Sequence, residues 1–158
     1  MKTLEHPLPL TQPWSDRFRT PCGDQLVSCL PRALRPATDL ARRRLSREGT
    51  AQERLRWMGI WRWSFAYEPV VAPHPARSSQ PSPSGQPGAY VIPDPRVPRI
   101  CIPVGDLAAT QTLARPCPGF VREVIERCSV IAGIRWATWN IEGKAMIDEL
   151  LDALRLGD

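Results

Sequence analysis

The stretch IWRWSFAY at residues 60–67 carries the strongest secondary-structure signal in the chain. Its large aromatic side chains recur at every second position, with smaller or charged residues between them. Because successive side chains of a strand point to opposite faces of a sheet, this spacing predicts a β-strand with one aromatic face. We expect that face to be buried, since exposed apolar surface is unfavourable by about 25 cal/mol per Å². The aromatic face consists of Trp61, Trp63, Phe65 and Tyr67.

Three further strands are predicted on the C-terminal side of this stretch. Residues 89–92 and 99–104 are rich in β-branched side chains and are bounded by prolines. This pattern is typical of short strands. Residues 131–141 alternate in the same way but carry apolar bulk on both faces, which indicates a strand that is central in the sheet or covered on both sides.

Helical periodicity flanks the strands on both sides. In the N-terminal third, leucines recur at helical spacing, but Pro31 and Pro36 interrupt them, which predicts two or three short helices. Thr50 and Glu53 have the spacing of a capping box and predict another short helix that ends at Gly59. Further helices are predicted at residues 106–113, 118–128 and 143–156.

Strands in the middle of the chain and helices at both ends indicate an α+β fold. We expect an antiparallel sheet of about four strands with helices packed mainly on one face. Residues 1–23 hold four prolines and predict an extended arm. Residues 24–158 are expected to form a single domain, within which the Pro/Ser/Gly-rich residues at about 69–88 predict a flexible loop.

Composition excludes several classes of protein. The chain has 158 residues, 42% of them hydrophobic and 23% charged, which is typical of a globular domain rather than a disordered chain. It contains no run of ~18 apolar residues that would cross a membrane. The polar, proline-containing N-terminus lacks the apolar core of a signal peptide, so we expect a cytoplasmic protein. The five cysteines are odd in number and irregular in spacing, which predicts reduced thiols and no zinc site.

Catalytic chemistry has few candidate residues. His6 and His74, the only histidines, lie in proline-bounded segments that are poorly suited to hold a base within hydrogen-bond reach. Glu68, Asp94 and Asp106 lie near predicted strand ends, where a turn, a helix cap or an exposed strand terminus explains each of them. We therefore predict no catalytic residue, no metal and no cofactor, with a carboxylate-based enzyme as the third alternative.

The N-terminal half of the chain is rich in arginine. Residues 1–67 hold twelve cations and six acids, whereas residues 106–158 hold six cations and eight acids. The densest cluster is a candidate for contacts to phosphates or to an acidic partner. The alternative is a solvated helix face whose arginines pair with acids elsewhere, including those of the last helix. The cluster consists of Arg42, Arg43, Arg44 and Arg47.

Aromatic residues on the predicted strands form the other candidate site. They either line a pocket or interface, or fill the core and a dimer seam. We expect a non-catalytic binding or protein-interaction module that forms a homodimer, since closed dimers are the commonest soluble assembly. The alternative is an accessory protein that binds nucleic acid through the arginine-rich half. The aromatic set consists of Trp61, Trp63, Tyr67, Trp136 and Trp139.

Overall fold

A computed structural model of the protein describes residues 12–46, 51–69 and 88–154. The five helices within these residues are α1 (Gly23–Ser28), α2 (Arg35–Leu45), α3 (Asp106–Leu113), α4 (Gly119–Arg127) and α5 (Lys144–Ala153). The six strands are β1 (Ala51–Trp57), β2 (Trp63–Pro69), β3 (Tyr90–Ile92), β4 (Arg99–Gly105), β5 (Val130–Ile131) and β6 (Ile134–Asn140). Two 3₁₀ turns lie at Pro13–Ser15 and Gly59–Trp61. No helix of the described residues is long and apolar enough to cross a bilayer.

All six strands form one antiparallel sheet in the order β1-β2-β3-β4-β6-β5. The predicted α+β class with an antiparallel sheet is therefore confirmed. The predicted strand number of about four is too low. The two strands that the sequence does not predict are β1 and β5.

Strand β1 takes the place of the helix that the capping-box pattern at residues 50–53 predicts. Burial alternates strictly along Ala51–Trp57, and every residue of β1 pairs with β2. The side chain of Glu53 accepts hydrogen bonds from Arg42 and Tyr67 instead of capping a helix. Pairing with an aromatic strand outweighs helix propensities, which differ by only a few tenths of a kcal/mol per residue.

The sequence does not predict strand β5, because a turn divides the segment in which it lies. The pattern of residues 131–141 predicts one strand, but the strand begins at Ile134 and a hairpin turn precedes it. Ala132 and Gly133, the two turn residues, have positive φ angles of 50° and 76°. Positive φ at both central residues is the requirement of a type I′ hairpin turn. Glycine alone adopts it without strain.

The pairing of β4 accommodates Pro103 within the strand. Strand β3 pairs only with residues 99–101 of β4, so no neighbour on that side needs a donor from Pro103. On the other side Pro103 lies opposite Trp136 of β6. Proline is accepted in a sheet where its missing N–H would not join a ladder.

One face of the sheet, here called the Phe65 face, carries the core. Phe65, Val91, Ile100 and Trp139 are register partners across β2, β3, β4 and β6, and each is less than 5% exposed. Apolar side chains of the helices belong to the same buried cluster. These helical residues are Leu26, Val121, Ile125, Ile147, Leu150 and Leu151.

Parts of the predicted arm and loop lie outside the described residues, namely residues 1–11 and 70–87. In the described part of the arm, Trp14 is buried and belongs to the core, whereas Phe18 is 95% exposed. Of the two aromatic residues of the arm, only Trp14 therefore anchors it to the domain.

We expect Leu150→Ala to lower the free energy of unfolding by about 2–5 kcal/mol, because it leaves a cavity at a fully buried position of α5. Urea denaturation followed by tryptophan fluorescence measures this change. Leu107→Ala is the matched control, since Leu107 is 73% exposed on α3. Its effect should stay below about 0.5 kcal/mol. Equal effects of the two substitutions would contradict the packing of α5 in the core.

Candidate functional site

The sheet face opposite the core, here called the Tyr90 face, carries a cluster of three aromatic rings. Tyr90, Cys101 and Thr138 are register partners on this face, and Trp136 lies two residues before Thr138 on the same side of β6. The ring of Trp61 is centred 5.8 Å from that of Tyr90 and 6.3 Å from that of Trp136. The rings of Tyr90 and Trp136 stack at 6.3 Å. All three rings are half-buried and keep accessible surface.

The sequence predicts Trp61 on a strand. In the structure Trp61 lies in a strained loop instead and reaches the cluster from there. It lies in the 3₁₀ turn between β1 and β2, where Gly59 and Arg62 have positive φ angles of 61° and 53°. A positive φ in a residue with a side chain costs about 1–3 kcal/mol and persists only where its surroundings enforce it. Here the guanidinium of Arg62 lies 5.1 Å over the ring of Trp14, and the hydroxyl of Ser64 donates to the carbonyl oxygen of Trp61 at 3.1 Å. These contacts hold Trp61 in place.

The structure divides the predicted aromatic set between the two faces of the sheet. Trp61 and Trp136 belong to the cluster on the Tyr90 face. The other three residues are at most 8% exposed on the Phe65 face: Trp63, Tyr67 and Trp139.

Tyr90 completes the cluster although the sequence did not single it out. It is the first residue of a three-residue strand. Its side chain faces Trp136 because Tyr90 pairs with Cys101 of β4, and Cys101 in turn pairs with Thr138 of β6. The only sequence signal for Tyr90 is its aromatic character at the start of a short strand, which does not specify a face.

Arginines border the Tyr90 face, but carboxylates pair with them. On β1 and β2, Arg56 forms an ion pair with Glu68, and the Nε of Arg54 is 4.0 Å from the same carboxylate. The Nη2 of Arg99 is 3.7 Å from the Oδ2 of Asp94. These three cations and two anions leave the border of the face only weakly basic.

On the Phe65 face, Arg42 is bound into a polar cluster. The hydroxyl of Tyr67 donates to Glu53 at 2.7 Å, and Arg42 donates to both oxygens of Glu53, at 3.1 and 2.7 Å. The guanidinium also lies 4.1 Å over the ring of Phe65. Burial and the Glu53 carboxylate raise the pKa of Tyr67 well above its usual range. Burial lowers the pKa of Arg42, but its hydrogen bond and charge interaction with Glu53 outweigh this and raise it.

The other predicted phosphate contacts are dispersed. Arg44 donates to Asp148 at 2.8 Å and to Asp152 at 2.7 Å, which connects α2 to α5. The hydrogen bond to Asp152 is the main reason why the pKa of Arg44 is raised. Arg43 is exposed, and Arg47 lies outside the described residues. The ion pairs of Arg44 match the alternative prediction, in which the arginines pair with acids of the last helix.

Cys101 lies on the Tyr90 face next to the ring cluster, and its thiol is unreactive by environment. The side chain is fully buried, and burial raises the pKa of the thiol to about 11. Since the thiolate is the nucleophile, a thiol with this pKa is protonated at neutral pH. Among the described residues, no group of three or more His, Cys, Asp or Glu is placed to hold a metal ion. The geometry of this face is suited to apolar contact and ring stacking.

No protein-family model matches the chain, and no curated protein or solved structure matches it either. The geometry of the Tyr90 face is therefore the basis for inferring a function.

The buried thiol predicts a pH dependence of stability. The ordinary pKa of a cysteine thiol is 9.0, whereas burial raises the pKa of Cys101 in the folded chain to about 11. A folded-state pKa above the unfolded value means that stability is full below the unfolded pKa and is lost as the pH rises toward the folded pKa. Between these values we expect Cys101 to contribute a loss of up to about 1.4 kcal/mol per pH unit.

Urea unfolding at pH 8 and pH 10 measures this loss. Cys101→Ala should have a smaller decline in unfolding free energy between the two pH values than the wild type. Cys22→Ala, at an exposed position, is the matched control and should decline like the wild type. Identical declines for all three proteins would rule out the contribution of Cys101.

Proposed function

We propose that the protein is a non-catalytic interaction module that self-associates through the Tyr90 face of its sheet. The half-buried cluster of Trp61, Tyr90 and Trp136 carries this proposal. Aromatic residues dominate the energetics of protein interfaces because each buries a large area at a small cost in conformational entropy. The five cysteines are all free, which supports a reducing, cytoplasmic location.

Helix contacts to the sheet support an accessible Tyr90 face. Arg42 of α2 stacks on Phe65, and the carbonyl oxygen of Phe120 in α4 accepts a hydrogen bond from Trp139 at 3.2 Å. Both sheet residues belong to the Phe65 face. We infer that the helices cover mainly this face, which leaves the Tyr90 face to a partner.

Aliphatic residues extend the aromatic cluster toward the turn between β5 and β6. Ile131 is 62% exposed and pairs with Ile134, which lies on the same side of β6 as Trp136. Together these residues and the three rings form a continuous apolar strip. Monomeric proteins seldom expose large contiguous apolar surface, whereas interface centres are built from it. A second copy is the simplest partner, because an isologous contact pairs the strip with itself.

Charge pairing favours a protein partner over a nucleic acid. Phosphate binding draws its affinity from cations that exchange their counterions for phosphates. Around the cluster, Arg56 and Arg99 already have carboxylate partners, Glu68 and Asp94. The strip between them is apolar, and burial against another apolar strip is the larger source of free energy there.

We expect the wild-type protein to sediment as a dimer at ~50 μM and Ile131→Arg to sediment as a monomer. The substitution should raise the dissociation constant of the dimer by at least ~10-fold. The substitution adds a charge to the apolar strip at an exposed position, so the fold of the monomer should persist. Leu107→Arg, at an equally exposed aliphatic position on α3, should stay dimeric. A wild-type protein that is monomeric at this concentration, or equal loss in both variants, would count against the proposal.

Binding of single-stranded nucleic acid is the second candidate function. The observation that favours it is the presence of three aromatic rings on the same sheet face as Arg54, Arg56 and Arg99. Aromatic rings on a basic surface stack with successive bases in many single-strand binding proteins.

Filter binding of a 20-nucleotide poly(dT) strand at low and at physiological salt separates the two functions. For a protein-interaction module we expect no retention at either salt concentration. Binding that falls steeply with salt, with a slope that decreases by about one in Arg56→Ala, would establish the second candidate instead. Arg115→Ala, on the segment after α3, is the control and should leave any such slope unchanged.

A further inference from the structure

The outer edge of β6 is unpaired beyond the end of β5. Strand β5 pairs only with residues 134–135 of β6, and the N–H of Trp136 donates to the carbonyl oxygen of Ser129 at 3.0 Å. Alternate residues of a strand direct their N–H and C=O groups to the same side. The N–H groups of Thr138 and Asn140 therefore point past β5, where they have no backbone partner among the described residues.

The next residue along the chain confirms this alternation. Ile141 donates its N–H in the opposite direction, to the carbonyl oxygen of Pro98 beside β4, at 2.8 Å. The N–H groups of odd-numbered residues in β6 thus point to β4, and those of even-numbered residues point to the outer edge. An unpaired strand edge of this kind is a template for another strand.

A groove between α4 and α5 runs along this edge. It has a volume of about 430 Å³ and is lined by Thr138, Trp139 and Asn140 of β6. Half-buried apolar side chains from the two helices, Phe120, Val124 and Met146, line it as well. Ligand pockets typically measure ~300–1,000 Å³, so the groove has room for several side chains.

The charge of the groove is opposite to that of the whole protein. Its charged lining residues, all within the described part of the chain, are the exposed carboxylates Glu123, Glu142 and Glu149. The chain as a whole has a formal charge of +5. Glu123 shares an ion pair with Arg127 at 2.7 Å, whereas Glu142 and Glu149 have no cation within 4.0 Å among the described residues. This groove therefore attracts cationic groups.

We propose that the groove binds an extended, basic segment of a partner protein, which adds to β6 as a further strand. Strand addition uses main-chain hydrogen bonds for affinity and alternate side chains for specificity. The outward groups of Thr138 and Asn140 supply the hydrogen bonds. Apolar side chains of the segment enter the groove, and its Lys or Arg residues face Glu142 and Glu149.

A second copy of this chain is the competing occupant, since β1 lies at the opposite edge of the sheet and carries Arg54 and Arg56. Both arginines are directed to Glu68 of their own chain. Their charge is thus already compensated, and a separate basic segment fits the groove better. The proposal is independent of self-association through the Tyr90 face.

Fluorescence anisotropy tests the proposal with the whole protein and a labelled eight-residue peptide, Val-Ser-Lys-Ser-Val-Ser-Lys-Ser, whose valines and lysines share one face of a strand. We expect saturable binding that Asn140→Pro weakens at least ~10-fold, because proline removes an outward N–H. Asn140→Ala removes the same side chain but keeps that N–H, so it should bind more tightly than Asn140→Pro. Circular dichroism establishes whether each variant is folded.

Two changes on the peptide side keep the test decisive if the proline variant does not fold. N-methylation of the amides on one edge of the peptide should abolish binding to the wild-type protein, while methylation of the other edge should not. A peptide with glutamate in place of lysine should not bind. Glu142→Gln with Glu149→Gln should lower affinity for the lysine peptide and flatten its salt dependence.

Three results would overturn the proposal. One is equal binding of the lysine and glutamate peptides, and another is binding that neither N-methylated peptide reduces. The third is absence of peptide binding together with loss of wild-type self-association in Asn140→Pro, which would make a second copy the occupant of this edge. Loss of dimerisation in Ile131→Arg with unchanged peptide binding would separate the two surfaces.

Discussion

The register of the central strands is the constraint on which the rest of the structure depends. Phe65, Val91, Ile100 and Trp139 form one row across β2, β3, β4 and β6 because each pairs with the next. A shift of one residue in any of these pairings would move its side chains to the other face. The same register directs Trp136 to the Tyr90 face. It therefore determines which aromatic residues become core and which stay accessible.

Polar contacts across the Phe65 face explain why the arginine-rich helix is a structural element. Glu53 lies on the inward side of β1, where an unpaired carboxylate would be unfavourable. Arg42 and Tyr67 satisfy it with three hydrogen bonds. On the other side of α2, Arg44 extends to α5. Carboxylates of this chain thus pair with arginines that, from composition alone, would be expected to bind a partner.

Strands that show a local alternation of side chains could be predicted from the sequence. Features that depend on contacts between distant segments could not. Alternation at residues 63–67 identified β2, but Ser64 and Ala66 on its second face are also buried. The hydroxyl of Ser64 donates to the carbonyl oxygen of Trp61, which precedes the strand. The position of Trp61 depends on positive φ angles at its neighbours, which the aromatic alternation conceals. Likewise, period two separates Trp136 from Trp139 without showing which one faces the helices. Both the cluster with Tyr90 and the unpaired edge of β6 depend on pairings between distant segments.

The two proposed surfaces adjoin at Thr138. Its side chain belongs to the Tyr90 face, while its N–H points to the outer edge of β6. A strand added at that edge continues the sheet, and the side chains that it directs into the groove lie on the side of α4 and α5. Its binding would use main-chain groups of β6 and helical side chains, whereas self-association would use the rings of the Tyr90 face. The two surfaces share a strand but use different faces of the sheet, so each can be occupied without the other.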